Sequence, residues 1–318
     1  MWPNEQKPYY GLFVKEQVDA IRLIRKDWEV DVFNIKGYVS WLSYFKSIYE
    51  INRLLKRKRY DVVHIHFGLS GLFLLFCAKV RMPVICTFHG SDISANSTKK
   101  LIKRLSLSVA KRCSRLIVLN EAMVQSVSKL SVPYDVVPCG VDCEYFVPIK
   151  IKKDERHRIS IGFPSATNRP EKNYPLFQRI IEALRREVDK EIEEVIFVHL
   201  SREQILEKLN SIDVLVMTSH YEGSPQTVKE AMACNTKIVS RDVGDVSLLF
   251  SQVANAIVVE YNSDEQQYVS AIKKLLNGDI AEPCFSSREK LFELKLDQKA
   301  VAEKIVGIYE SEVKLSHA

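Results

Sequence analysis

Along almost the whole chain, short runs rich in Val, Ile and aromatic residues alternate with longer stretches of helical periodicity. No other feature restricts the fold as strongly. Such alternation builds βαβ units, because parallel strands need a crossover of helical length between them. The first half predicts strands over Val30–Asn34, Asp61–His66, Pro83–Phe88, Arg115–Leu119 and Tyr134–Val137. Helices are expected over Phe13–Lys26, Trp41–Arg57, Gly71–Val80, Lys99–Cys113 and Glu121–Leu130. The second half repeats the scheme, with strands over Ile159–Phe163, Val195–Leu200, Asp213–Met217, Lys237–Ser240 and Ala256–Val259. Its helices are Tyr174–Val188, Arg202–Leu209, Thr227–Cys234, Ser263–Leu276 and Asp297–Lys314.

A polar joint at Pro148–Glu155 divides the two halves. The expected organisation is an α/β chain of two domains, 1–150 and 151–296, with a closing helix over 297–318 that packs back toward the first. Ligands of open α/β sheets bind beyond the carboxyl ends of the strands, so the motifs should follow strands. One irregularity stands at the start: the helix from Phe13 has only residues 1–12 before it, and Pro3 and Pro8 leave no room for a strand there. The first strand of the first domain is therefore expected to be missing.

Composition narrows the function classes. Seven cysteines are dispersed, without a CxxC pair or a Cys/His cluster at zinc spacing, which points to reduced thiols rather than a disulfide framework. The polar, proline-broken start lacks the apolar run of a secretory signal, and the longest apolar stretch, Leu69–Val80, is too short to span a bilayer. A cytoplasmic location is expected. Residues 1–150 hold 23 Lys and Arg against 13 Asp and Glu, a net +10, whereas residues 151–318 are at −4. Basic clusters at Lys56–Arg59 and Lys99–Arg112 interrupt apolar helical positions and suit an anionic lipid surface. No nucleic-acid module accompanies them, so nucleic acid is not an expected partner.

The sharpest motif runs from Tyr221 to Cys234. A strand enters a Gly/Ser/Pro turn, and a helix opens near Gln226 whose free N–H groups and positive dipole end favour an anion. Glu222 stands at the mouth of the turn and Glu230 one helical turn inside. A second cluster, Pro164–Asn173, follows the strand Ile159–Phe163 and carries Arg169 and Lys172. In the first half His89 and Asp92 follow the strand Pro83–Phe88. His64 and His66 flank Ile65 and are expected on opposite faces of their strand, His64 in the core and His66 toward an acceptor.

The spacing Glu222-x7-Glu230 resembles the signature of glycosyltransferase family 4, the group 1 glycosyltransferases, which are retaining enzymes of the GT-B fold. Val239–Asp245 resembles the next strand and glycine-rich turn of that family. Asp61–His66, Thr87–Asp92 and Pro138–Pro148 agree with it in order and spacing. The likeness covers roughly residues 8–276. It implies two Rossmann-like α/β/α domains facing an interdomain cleft, a nucleotide-diphosphate-sugar donor, a glycan or lipid-linked acceptor, and no obligatory metal or other cofactor. Carried over residue by residue, Glu230 would bind the donor ribose and Glu222 would lie near the sugar and departing phosphate. Gly223, Ser224, Gln226 and Thr227 would hold the sugar hydroxyls, although Pro225 in that turn has no N–H to give. Arg169 and Lys172 would stabilise the leaving diphosphate, His89 would face the sugar near its reacting carbon, and Gly11 would lie in the loop between donor phosphate and acceptor. His66 and Asp92 complete the acceptor-side candidates. The competing expectation is a catalytically impaired or partner-dependent protein of the same fold that binds nucleotide sugar without transfer; a nucleotide-sugar epimerase also shares the fold.

Overall fold

The structure is a computed structural model that describes residues 2–3, 10–37, 39–76, 80–93, 100–150, 158–279 and 285–317. Its elements in chain order are α1 (Leu12–Ile24), α2 (Leu42–Arg57), β1 (Val63–His66), α3 (Phe73–Phe76), β2 (Val84–Thr87), α4 (Lys100–Ala110), β3 (Arg115–Val118), α5 (Glu121–Val127) and β4 (Tyr134–Val136). There follow β5 (Arg158–Phe163), α6 (Tyr174–Glu187), β6 (Glu191–Ile196), α7 (Arg202–Ser211), β7 (Val214–Met217), α8 (Gln226–Ala233), β8 (Lys237–Arg241) and α9 (Val246–Leu249). The chain continues through β9 (Ala256–Val259), α10 (Glu265–Asn277), α11 (Ser287–Glu293) and α12 (Gln298–His317). It divides into two compact units, Met1–Gly140 with Lys299–Ala318, and Val141–Gln298.

In the first unit a parallel sheet runs β1-β2-β3-β4, with His66 beside Thr87 and Thr87 beside Ile117. Side chains alternate across the sheet, as the period of two requires. Val84, Cys86, Leu116 and Val118 face a core with residues of α2, α3, α4 and α5. Ile85 and Ile117 face the other way, onto Ala20 and Ile21 of α1 and Val301, Ile305 and Tyr309 of α12. The second unit is built alike around a parallel sheet of order β6-β5-β7-β8-β9. Val214, Val216 and Val239 pack against α6 and α10, while Leu215, Met217 and Ile238 pack against α7, α8, α9 and α11. Both units are thus sheets covered by helices on each face, the arrangement that buried parallel sheets need.

Several expected elements differ. Val30–Asn34 forms no strand: Val32 and Phe33 are each 41% exposed, and Glu29 and Asp31 instead hold Lys58 just past α2. The strand expected at Val195–Leu200 lies earlier, at Glu191–Ile196, and the chain leaves the sheet through His199 at φ 53°. Its acids can stand in a strand because it is an edge strand with basic and hydroxyl partners: Glu193 accepts from Ser160 at 2.6 Å, and Glu194 pairs with Arg185 at 3.0 Å. Among the described residues of Gly71–Val80, Phe73–Phe76 are α-helix, preceded by a 3₁₀ turn over Gly68–Gly71; residues 77–79 lie outside the described residues. A Cβ on Gly68 would stand 2.4 Å from Cβ of Ser106, so this turn presses onto α4. The second unit begins at Val141 rather than at residue 151, because Val141, Cys143 and Phe146 are buried in its core. The strand expected to be absent before α1 falls on residues 4–9, outside the described residues. So does Lys99 of the basic helix.

Candidate active site

In the second unit the carboxyl ends of β5, β7 and β8 carry the singled-out loops. After β5 the chain makes a 3₁₀ turn at Pro170–Lys172 and passes through Asn173 at φ 53° into α6. This loop is stitched to the end of β7. The Thr218 hydroxyl donates to the carbonyls of Lys172 and Asn173 at 2.9 and 3.1 Å, and the His220 N–H donates to the Glu171 carbonyl at 2.8 Å. The stitching brings Lys172 onto Glu222, with Nζ 2.5 Å from Oε1; their side chains are 16% and 13% exposed. Arg169 is turned instead to Glu171 at 2.6 Å and is 53% exposed, so it stands at the surface of the same loop.

Past Glu222 the turn Gly223–Pro225 leads into α8, with Pro225 as the residue before its first turn and Gln226 and Thr227 opening it. Glu230, on the buried face of α8, forms an ion pair with Arg202 at the start of α7, whose guanidinium lies 4.4 Å over the Phe146 ring. Sequence reasoning missed Arg202 because it opens a polar helix after a strand whose position was misplaced. It also missed a chain of buried polar groups under the turn. Lys229, fully buried, donates to the Ser224 hydroxyl at 2.9 Å, and Ser224 donates to Asp245 at 2.6 Å. Burial raises the Asp245 carboxyl above the usual carboxylate range, and the Lys229 charge works against that rise. The signal available was a lysine directly before Glu230, at a position where the helix is otherwise apolar.

Gly244 seals this turn from the other side. It sits at φ 66°, and a Cβ there would come 2.9 Å from the Gly223 carbonyl and 3.2 Å from that of Glu222. Gly244→Ala is therefore expected to cost roughly 1–3 kcal/mol of stability and to push the 222–224 turn outward. A urea melt together with the KM for donor checks this; unchanged values for both would show that the turn does not depend on that contact.

The first unit carries a histidine cluster. His64 and His66 stand on one face of β1, ring centroids 4.3 Å apart, and not on opposite faces as expected, because residues two apart in a strand point the same way. His66 Nδ1 lies 3.2 Å from His89 Nε2, with the rings nearly parallel. His64 is held between the Tyr309 hydroxyl at 2.5 Å and the Thr87 hydroxyl at 2.7 Å, which ties α12 to the sheet. Asp92 is fully buried and accepts N–H bonds from Gly68 and His89, each at 3.0 Å, so it fixes the loop carrying His89. Gly11, at φ 62°, ends the turn into α1 and brings Phe13 to 4.9 Å from the His89 ring. The structure thus assembles His66, His89, Asp92 and the Gly11 turn in one unit, and Glu222, Lys172, Glu230 and the Gly223–Thr227 turn in the other.

Burial lowers the pKa of His89 to about 4 and of His64 to about 3, and holds His66 well below its ordinary value. It raises Asp92 to about 6. The unfolded chain takes up protons on these histidines below about pH 6.5, while the folded chain does so on His89 only near pH 4, on His64 near pH 3 and on His66 well below its ordinary value. The stability they contribute is complete above pH 6.5 and is lost as pH falls toward 4. Asp92 acts in the opposite sense below pH 6, since the folded form then binds its proton first, but it is one group against three. The urea midpoint is expected to drop between pH 7 and pH 4.5, and the slope to flatten in His66→Asn/His89→Asn. An equal slope in that variant would contradict the assignment.

Residues 14–145 match Glycosyltransferase Family 4, and residues 180–292 match Glycosyl transferases group 1. The chain is a group 1 glycosyltransferase. Among its relatives is a UDP-Gal:alpha-D-GlcNAc-diphosphoundecaprenol alpha-1,3-galactosyltransferase of Escherichia coli, 25% identical over 284 residues that cover 76% of this chain and 73% of the relative. Sucrose-phosphate synthase from Thermosynechococcus elongatus has the same fold, with a TM-score of 0.66 at 18% identity over 85% of this chain and 78% of that one. So does the Anabaena protein HepE, solved in complex with UDP, with a TM-score of 0.65 at 13% identity over 91% and 89% of the two chains. The fold of the glycosyltransferase is GT-B. No helix among its described residues is long and apolar enough to cross a membrane.

Proposed function

We infer that this glycosyltransferase moves a sugar from a nucleotide-diphosphate donor to a glycan or lipid-linked acceptor, with retention of anomeric configuration, in the building of a cell-surface polysaccharide or glycolipid. The observation that carries the reading is the arrangement of the second unit: Lys172 on Glu222 at the mouth of the turn, with Glu230 held by Arg202 one turn into α8. A cation, a carboxylate and the positive dipole end of a helix start converge there. That set suits a diphosphate beside polyhydroxylated groups. The Escherichia coli relative is named for a UDP-sugar donor and a diphosphoundecaprenol-linked acceptor, which supports the same chemical classes here.

In the reaction the bond between the anomeric carbon and the β-phosphate oxygen breaks. The acceptor oxygen bonds that carbon on the same face and passes its proton to the departing phosphate. Negative charge grows on the leaving diphosphate, and Arg169 and Lys172 offer a guanidinium fork and a point charge to receive it. Glu230 takes the ribose hydroxyls, and Glu222 and the Gly223–Thr227 turn hold the sugar. No step calls for a metal ion or an organic cofactor. The test is a panel of labelled nucleotide sugars given to the purified enzyme with undecaprenyl-linked and free glycan acceptors. Transfer giving a product of the donor's anomeric configuration by NMR is expected; an inverted product would remove retention. Donor binding without transfer to any acceptor would favour a non-catalytic sugar-nucleotide-binding role.

A further inference from the structure

Helix α2 is apolar on two sides. Its inner side, with Tyr44, Ile48, Ile51 and Leu55, packs into the core of the first unit. Its outer side continues from Trp41, 67% exposed, through Leu42 at 57%, Phe45 at 50% and Tyr49 at 69%. Trp41 and Phe45 meet edge to face at 5.4 Å, so the exposed stripe is ordered by its own contacts. The apolar arc of α2 is wider than the core covers, and an ordered aromatic stripe left in water marks an interaction surface.

Charge says what covers it. One turn further along the same outer side the exposed residues become Arg53, Lys56 and Arg57. From Trp41 to Arg59 six Lys and Arg stand against the single acid Glu50, and from Lys100 to Arg112 five stand against none. Helix α3 packs against both α2 and α4, and Phe76 of α3 and Leu101 of α4 are also exposed, at 65% and 70%. The first unit as a whole carries 25 Lys and Arg against 14 Asp and Glu, a net +11, while the second is at −5.

We propose that the α2–α4 face of the first unit docks on an anionic bilayer, with Trp41, Phe45 and Tyr49 entering the headgroup region and the basic ends of α2 and α4 lying on the phosphates. Trp and Tyr favour that depth because one end of each ring system is apolar and the other polar. The stripe supplies insertion and the lysines and arginines supply attraction, the two signals that together turn marginal membrane binding into stable docking. The inference stands on the first unit alone and does not depend on which sugar, if any, is transferred.

Co-sedimentation tests it, using vesicles of phosphatidylcholine alone and of equal parts phosphatidylcholine and phosphatidylglycerol. The wild-type chain is expected to bind the mixed vesicles and to lose binding as salt rises. Phe45→Ser/Tyr49→Ser should weaken binding at least about tenfold at every salt concentration. Arg53→Gln/Lys56→Gln/Arg57→Gln should weaken it chiefly at low salt. Both sets are solvent-exposed, so an unchanged melt separates lost docking from lost folding. Quenching by brominated phosphatidylglycerol should fall in Trp41→Phe. The proposal is overturned if wild-type chain ignores the mixed vesicles or if the serine variant binds as wild type does. It is equally overturned if the same substitutions dissolve a dimer seen by sedimentation equilibrium, which would give the face to a second copy.

Discussion

Replacing Lys172 with Ala is expected to lower kcat/KM for sugar transfer by roughly 10²–10³, the scale on which a single preorganised donor to transition-state charge acts. Lys172 is mostly enclosed and already held against Glu222, so its charge stands in a water-poor place where it weighs more than at the surface. Both kcat and kcat/KM should fall, because the charge it meets grows as the diphosphate leaves. Lys172→Arg should recover only part, since a planar fork does not reproduce the ammonium position beside Glu222. Arg169→Ala should lower turnover on a similar scale, although Arg169 stands more open and on Glu171. Steady-state kinetics with a thermal melt decides: unchanged turnover in both Ala variants removes the pair from the reaction.

The second large effect concerns Glu230. Its side chain is 4% exposed and its partner Arg202 is 21% exposed, so Glu230→Ala leaves a largely enclosed guanidinium without its carboxylate. Breaking such a pair costs about 3 kcal/mol at the lower end of the usual range. That corresponds to a fall in melting temperature of roughly 6–12 °C for a unit the size of Val141–Gln298. Donor affinity should fall with it if Glu230 also takes the ribose. The two roles separate in Arg202→Met/Glu230→Ala, where stability should largely return and donor affinity should not. A double variant as unstable as the single one would show that the pair is not what Glu230 stabilises.

The fold was legible where elements obey one period. Val214–Met217 and Arg115–Val118 are short β-branched runs followed by turn residues, and their alternation across the sheet was implicit in the pattern. Legibility failed where partners distant in sequence decide. Glu191–Ile196 reads as a polar segment until Arg185 and Ser160 are seen beside it. Val30–Asn34 reads as a strand although its Asp31, with Glu29 just before it, is committed to Lys58. Helix α11 was overlooked despite a capping box, Ser286 with Glu289, that the sequence displays. At the site, the loop of Lys172 and the turn of Glu222 were each visible as motifs. Their contact depends on Thr218 and His220 drawing two strand ends together, a relation between segments about fifty residues apart. Arg202 carries no motif of its own, and Lys229 and Asp245, although inside the Tyr221–Cys234 and Val239–Asp245 stretches, become meaningful only through what they touch. The shared face of His64 and His66 follows from strand geometry alone, and the structure corrects the misreading of it.

Calorimetric titration of nucleoside diphosphates into the purified wild-type chain, Lys172→Ala and Arg202→Met/Glu230→Ala most directly tests donor recognition by the second unit. One nucleoside diphosphate should bind at one site per chain, with affinity reduced at least about tenfold in each variant. Absence of binding by every nucleoside diphosphate, or binding that both variants leave intact, would contradict it.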